Sequence, residues 1–166
     1  THAPDFTAVQ NSWPNSYKRL VPGYEAPTLI SWGFKNRSML IRVPNFFKKA
    51  NAARCEIRAP DPAGNIYFQL ATIFAAGLDG IHQKILPPQP VEVNLFRVPK
   101  EERLKMGVKE LPESFGQALH NFRHSTFMRS VMGETAYQAF LDAKMQENEF
   151  YNTQVSEWEL SRYSNL

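Results

Sequence analysis

The chain of 166 residues is 43% hydrophobic and 13% aromatic, enough apolar material for one globular domain or a large piece of one. A net charge of +3, from 19 basic and 16 acidic residues, and a pI of about 9.0 are too mild to indicate nucleic-acid binding. A single cysteine, Cys55, excludes an intrachain disulfide, so the expected compartment is a reducing cytosol.

Thr1-His2-Ala3-Pro4 has no initiator Met, no basic n-region and no apolar h-region. It is not a signal peptide and reads as the middle of a longer protein. From Thr1 to about Pro62 the chain is rich in Pro, Gly, Asn and Arg, with short β-type runs; from about Ala63 onward it reads mostly as helix. That order predicts an α+β fold, with antiparallel strands in the N-terminal third followed by mostly helices.

Pro14, Pro22, Gly23 and Pro27 make residues 11–27 a loop. Strands are predicted at Thr28–Trp32 and Ser38–Val43, the second alternating Met39, Ile41 and Val43 with Ser38, Leu40 and Arg42. Arg54-Cys55-Glu56-Ile57-Arg58 also alternates, placing Arg54, Glu56 and Arg58 on one face and Cys55 and Ile57, read as core, on the other. Asp61-Pro62 fits a helix start, and the helix to about Ile85 is apolar nearly all round, as in a helix buried in a larger structure. Its longest apolar run, Ile66 to Ile81, is interrupted by Gln69, Thr72 and Asp79, too polar to span a membrane. Pro87, Pro88 and Pro90 end it, and further helices are predicted at Pro112–Phe122 and Glu134–Tyr151.

Arg19, Arg37, Arg42, Arg54 and Arg58 all fall in the loop-and-strand half. A guanidinium is always charged and presents a planar fork of donors to carboxylate or phosphate oxygens. Glu56, between two arginines, can ligate a hard cation. Enzymes that phosphorylate a carboxylate need both kinds of group. On residue types alone the favoured reading is simpler: a solvated sheet face tied by cross-strand ion pairs. His120 and His124, spaced i,i+4, lack a neighbouring third ligand and read as a surface pair, and His2 and His82 as surface or packing residues.

Four segments between Asn15 and Ile81 turn that balance. The run Asn15-Ser16-Tyr17-Lys18-Arg19-Leu20-Val21-Pro22-Gly23-Tyr24-Glu25-Ala26-Pro27 resembles the glutamine synthetase signature residue for residue. Asn36-Arg37-Ser38 with Ile41-Arg42-Val43-Pro44, Arg54-Cys55-Glu56-Ile57-Arg58 with Pro60-Asp61-Pro62, and Ala76-Gly77-Leu78-Asp79-Gly80-Ile81 resemble three further signatures of that family, in the same order. The resemblance is to the C-terminal part of a type I catalytic domain, spanning residues 1–166 with the upstream part missing.

The resemblance implies ATP-dependent ligation of ammonia to the γ-carboxylate of L-glutamate through γ-glutamyl phosphate, with Mg2+ or Mn2+. It implies that Arg19 and Arg58 hold glutamate, and that Glu25 lies on the closing loop, binds ammonium and takes its proton. It gives Arg37 to the transferring phosphoryl group, Arg42 and Arg54 to nucleotide phosphates, and Glu56 to the metal bridging ATP. It implies a cytoplasmic homo-oligomer, a dodecamer in the parent enzyme, without nucleic-acid or membrane partners. The family's other metal ligands and its small N-terminal domain would precede Thr1, so this piece is expected to be inactive alone.

The chain departs from the family pattern in places. Asn11-Ser12-Trp13 stands for Asn-Pro-Thr, Asn65-Ile66-Tyr67-Phe68 for Asn-Pro-Tyr-Leu, and Asn51 for a lysine that some members place near the nucleotide. Phe96 replaces a tyrosine that some bacterial members adenylylate, and its ring has no hydroxyl to modify. A ligase for another amine, which needs a wider and less acidic entrance near Glu25, and a non-catalytic relative remain as alternatives; Tyr24-Glu25-Ala26-Pro27 intact favours ammonia.

Overall fold

The computed structural model describes residues 1–34, 38–44 and 54–164. In chain order they form α1 (Ala3–Gln10), β1 (Leu29–Gly33), β2 (Met39–Arg42), β3 (Glu56–Ile57), α2 (Ile66–His82), α3 (Lys100–Lys105), β4 (Lys109–Glu110), α4 (Phe115–His124), α5 (Thr126–Met132), α6 (Glu134–Asn152) and α7 (Glu157–Tyr163). The expected α+β character holds: one small sheet, then mostly helices. The strand order is β3-β2-β1-β4. The outer pairs are antiparallel, with Arg42 opposite Glu56 and Ile30 opposite Lys109. The central pair corrects the antiparallel expectation: β1 and β2 run parallel, with Leu29 opposite Met39. Alternation tells which face a residue occupies, but it carries no information on strand direction. β4 comes from the helical half, recruited where Leu111 N–H donates to Thr28 O at 2.8 Å.

Helix α1 was not expected in a half that reads as strands and loops. It begins with proline in its first turn and Asp5 beside it, both favourable at a helix N-terminus. Ala3, Phe6, Thr7, Ala8, Val9 and Gln10 are all buried, so no face is polar and no amphipathic period shows in the sequence. His2 anchors its start, with Nε2 2.7 Å from Asp79 Oδ2 and its ring stacked on Phe127 at 3.7 Å.

Helix α2 starts later than Asp61-Pro62 suggests. Asp61 Oδ1 accepts from Ala63 N–H to make a turn, and Asn65 is the true cap, accepting from Tyr67 and Phe68 N–H at 3.0 and 3.2 Å. Its burial also differs from expectation. Gln69 and Thr72 are buried, whereas Ile66, Tyr67, Leu70, Phe74, Leu78 and Ile81 are exposed on the chain. The buried pair interlocks with α1: Gln10 Nε2 donates to Thr72 Oγ1 at 2.8 Å and to Gln69 O at 3.2 Å, and Gln69 Nε2 donates to Gln10 O at 3.2 Å. Cys55 is exposed rather than core, because the third strand contracts to Glu56–Ile57 and leaves Cys55 outside it.

The main core lies between α1, α4, α5 and α6. Phe122 and Tyr137 stack at 4.9 Å, Phe140 flanks Phe122 at 5.1 Å, and Tyr137 Oη donates to Arg123 O at 2.8 Å. Gly133, at φ +72°, turns α5 into α6 in a region that disfavours any Cβ. A smaller core of Leu29, Met39, Val91, Leu95 and Val108 backs the sheet, with Phe96 packed against it. Gly33 lets the chain pass there: a Cβ on it would lie 2.4 Å from Val91 O.

Phe122→Ala is expected to cost about 3–5 kcal/mol in denaturant unfolding, because the ring leaves a cavity between helices. Phe74→Ala on the exposed face of α2 should change stability by less than about 0.5 kcal/mol. Equal losses would show that the core is not where the packing places it.

Candidate active site

Three backbone segments converge on one open cavity of about 560 Å³, lined by Arg19, Gly23, Tyr24, Glu25, Ala26 and Arg58. Arg19 follows the short 3-10 turn Pro14–Lys18, with its N–H donating to Ser16 O at 3.1 Å. Gly23, at φ +93°, reverses the chain into the Tyr24–Glu25 loop. Arg58 leaves β3 with its N–H bonded to Leu40 O at 3.0 Å, which fixes the backbone from which its side chain projects.

The charged side chains form a ladder. Arg42 Nη1 lies 3.1 Å from Glu56 Oε2, and Glu56 Oε1 lies 3.2 Å from Arg58 Nε. Arg58 Nη2 donates to the Glu25 backbone carbonyl at 3.0 Å and stands 3.8 Å from Glu25 Oε2. The Arg58 side chain is only 13% exposed, against 90% for Glu25. A well-held cation therefore faces a carboxylate on a solvent-facing loop. Arg19 Nη2 donates to Asn11 Oδ1 at 3.0 Å and to Ala59 O at 2.8 Å.

This arrangement brings Arg19, Glu25 and Arg58 together and joins Arg42 and Glu56 to them. Arg54 is exposed just before β3 and does not line the cavity. Arg37 and Asn51 lie outside the described residues. The cross-strand ion pair expected of a solvated sheet face is present, yet such a face would leave its donors in water. Here Arg19 Nε, Arg42 Nε and Arg58 Nη1 are buried without a hydrogen-bond partner. An unmet buried donor costs about 1–3 kcal/mol, more when charged. Two of these arginines, Arg19 and Arg58, line the cavity, and guanidinium groups there suit an anionic ligand with several oxygens.

Fit to a divalent cation is partial. Both Glu56 oxygens face a guanidinium, though each keeps a second lone pair and the side chain is 44% exposed. Among the described residues no group of three or more His, Cys, Asp or Glu is placed to hold a metal ion. Glu56 can contribute one ligand, and the others must come from elsewhere. His124 Nδ1 lies 2.7 Å from His120 O, so that pair binds its own helix.

The supports of the site were not visible in advance. Asp61 N–H donates to Gln10 O at 2.8 Å, and Gln69 Nε2 donates to Asp61 O at 2.8 Å, bolting the loop after Arg58 to α1 and α2. Burial pushes the Asp61 carboxyl up, but the Ala63 N–H and the charge of Arg19 outweigh it and hold the group below the ordinary carboxylate value. The one signal was that Gln69 and Thr72 interrupt an otherwise apolar run. Trp13, at a departure from the family pattern, donates from Nε1 to Ala63 O at 3.1 Å and lies under Lys144 Nζ at 3.5 Å.

Residues 1–163 match the family model described as glutamine synthetase, catalytic domain. The chain is 46% identical over 162 residues to a glutamine synthetase of Staphylococcus aureus strain MW2, covering 98% of this chain and 36% of the relative. A glutamine synthetase of Pyrococcus abyssi is 47% identical over 174 residues, covering 98% and 39%. A solved GmaS/ADP complex superposes with a TM-score of 0.83 at 33% identity, covering 99% of this chain and 37% of that one. The chain thus spans little more than a third of the length of the relatives it matches.

The exposed rung of the ladder should contribute little to folding. A double-mutant cycle on Arg42→Ala and Glu56→Ala is expected to give a coupling of about 0.2–1 kcal/mol that weakens with added salt. A coupling of several kcal/mol would mean that the strand pair is held by this rung.

Proposed function

The chain belongs to the glutamine synthetase catalytic-domain family, and from that premise we propose that it is the C-terminal part of an ATP-dependent ligase joining ammonia to the γ-carboxylate of L-glutamate. The observation that carries the reading is the cavity in which Arg19 and Arg58, each with a buried unpartnered donor, meet the exposed carboxylate of Glu25. The ADP named with the GmaS structure supports nucleotide use in a protein of this shape.

On this reading Arg19 and Arg58 hold the anionic ends of glutamate, Arg58 beside the γ-carboxylate. Arg42 and Arg54 take nucleotide phosphates, and Arg37 takes the transferring phosphoryl group. A carboxylate oxygen attacks the γ-phosphorus of ATP, ADP leaves, and γ-glutamyl phosphate forms. The phosphorylated carboxyl now carries a leaving group. Ammonium gives a proton to the Glu25 carboxylate, its nitrogen attacks the acyl carbon, and inorganic phosphate departs. Glu56 would hold one face of Mg2+ or Mn2+, whose charge offsets that of the phosphoryl oxygens. Closure of the Tyr24–Glu25 loop would keep water from the acyl phosphate.

The remaining ligands and the small N-terminal domain are assigned to upstream sequence, and the full-length enzyme to a cytoplasmic homo-oligomer, a dodecamer. Among the described residues no helix is long and apolar enough to cross a membrane. Exposed Ile66, Phe74 and Ile81 on α2, with Trp158 and Tyr163 on α7, support burial against further protein.

The test is ADP release by the full-length protein with glutamate, ATP, Mg2+ and a panel of amines. Ammonium should support turnover best, and Arg58→Lys should lower kcat/KM by about 100-fold or more through loss of the planar fork. Turnover with a larger amine and not with ammonium would move the assignment to another γ-glutamyl ligase. No glutamate-dependent release would mark a non-catalytic relative. The 166-residue chain alone should release no glutamine, since Glu56 is its one predicted metal ligand.

A further inference from the structure

We propose that Asn11 is a positioning residue for Arg19, holding its guanidinium in the orientation that receives a substrate carboxylate; this rests on the ligase reading above. Asn11 ends α1, where its backbone N–H donates to Thr7 O at 2.8 Å. It is fully buried and does not line the cavity, so it acts through another residue. Its Oδ1 accepts from Arg19 Nη2 at 3.0 Å, while the same nitrogen donates to Ala59 O at 2.8 Å. A terminal guanidinium nitrogen has two hydrogens, and here both are used. With Nη2 tied to two acceptors on separate segments, the plane of the group is set, and Nε is left as a buried donor without a partner.

The acceptor that Asn11 offers is itself fixed relative to Arg58. The neighbouring Gln10 carbonyl accepts from Asp61 N–H at 2.8 Å and from Gln69 Nε2 at 3.2 Å. Ala59, whose carbonyl is the second acceptor, directly follows Arg58. The end of α1 therefore sets the spacing between the two arginines that line the cavity. Burying an amide here has a cost, because Asn11 Nδ2 has no hydrogen-bond partner. An apolar side chain of the same shape would avoid that cost, so the return on the amide is its contact with Arg19.

The experiment is steady-state kinetics on the full-length enzyme carrying Asn11→Ala and Asn11→Asp. A buried hydrogen bond to a charged group corresponds to a factor of roughly 10 to 100. Asn11→Ala is expected to raise KM for glutamate by that factor, leaving KM for ATP within about threefold. Asn11→Asp keeps an acceptor for Arg19 Nη2 and should hold KM for glutamate within about threefold of the unsubstituted enzyme. An unchanged KM for glutamate in a folded Asn11→Ala enzyme would overturn the proposal. So would equal rises for glutamate and ATP, the mark of a merely structural role. Where Asn11→Ala does not fold, Asn11→Asp decides: a tenfold or larger rise in KM for glutamate sinks the idea. The unsubstituted enzyme is assayed first, because absence of glutamate- and ammonium-dependent turnover there refutes the ligase reading instead.

Discussion

Arg58 is where the sheet, the loop and the cavity meet. Its Nε is paired with Glu56, its Nη2 with the Glu25 carbonyl, and its Nη1 is buried with no partner. A mostly buried guanidinium is tolerable only when its donors are directed at fixed acceptors. The sheet supplies one such acceptor by setting Glu56 opposite Arg42. The Tyr24–Glu25 loop supplies another through its backbone rather than its side chain. The position of the loop is thereby tied to the arginine, while the Glu25 carboxylate stays free to face solvent.

What holds this geometry from behind is polar. The α1–α2 contact is made by Gln10, Gln69 and Thr72, all buried and cross-bonded. Hydrogen bonds specify distance and direction more sharply than the hydrophobic effect, which is non-directional and roughly proportional to buried area. An apolar contact there would join the helices as firmly and register them less closely. The loop through Ala59 and Asp61 hangs from this contact, so the relative placement of Arg19 and Arg58 inherits its accuracy.

Much of this was legible in the residues, for reasons that differ by element. The β2 position followed from alternation, β1 from a short β-type run, and α6 from its near-helical spacing of apolar residues. The parallel pairing of β1 and β2 was not legible, because a face pattern has no direction. Helix α1 was hidden because its residues are buried on nearly every side, which erases periodicity. Cys55 was misplaced by extending alternation one residue beyond the paired strand. Of the site, Arg19, Glu25, Glu56 and Arg58 were picked out by motif, and the sheet and loop bring them together. Asn11 was noted only as part of a departing triplet. Its role depends on a fold that brings the end of α1 to Arg19, and no spacing rule encodes that.

Unequal exposure of the charges sets the local field around this cluster. Arg42 and Arg58 pair with Glu56 and Glu25, and Arg19 acts on Asp61, so three cations stand against three carboxylates. Glu25 is largely in water, where its charge is screened, whereas Arg58 is not. The local field is therefore more positive than the formal count. Desolvating guanidinium groups this way costs stability in the ligand-free chain. Arg42, whose Nη1 lies 3.1 Å from Glu56 Oε2 on the opposite strand, holds Glu56 along the sheet, beside rather than within the lining of the cavity.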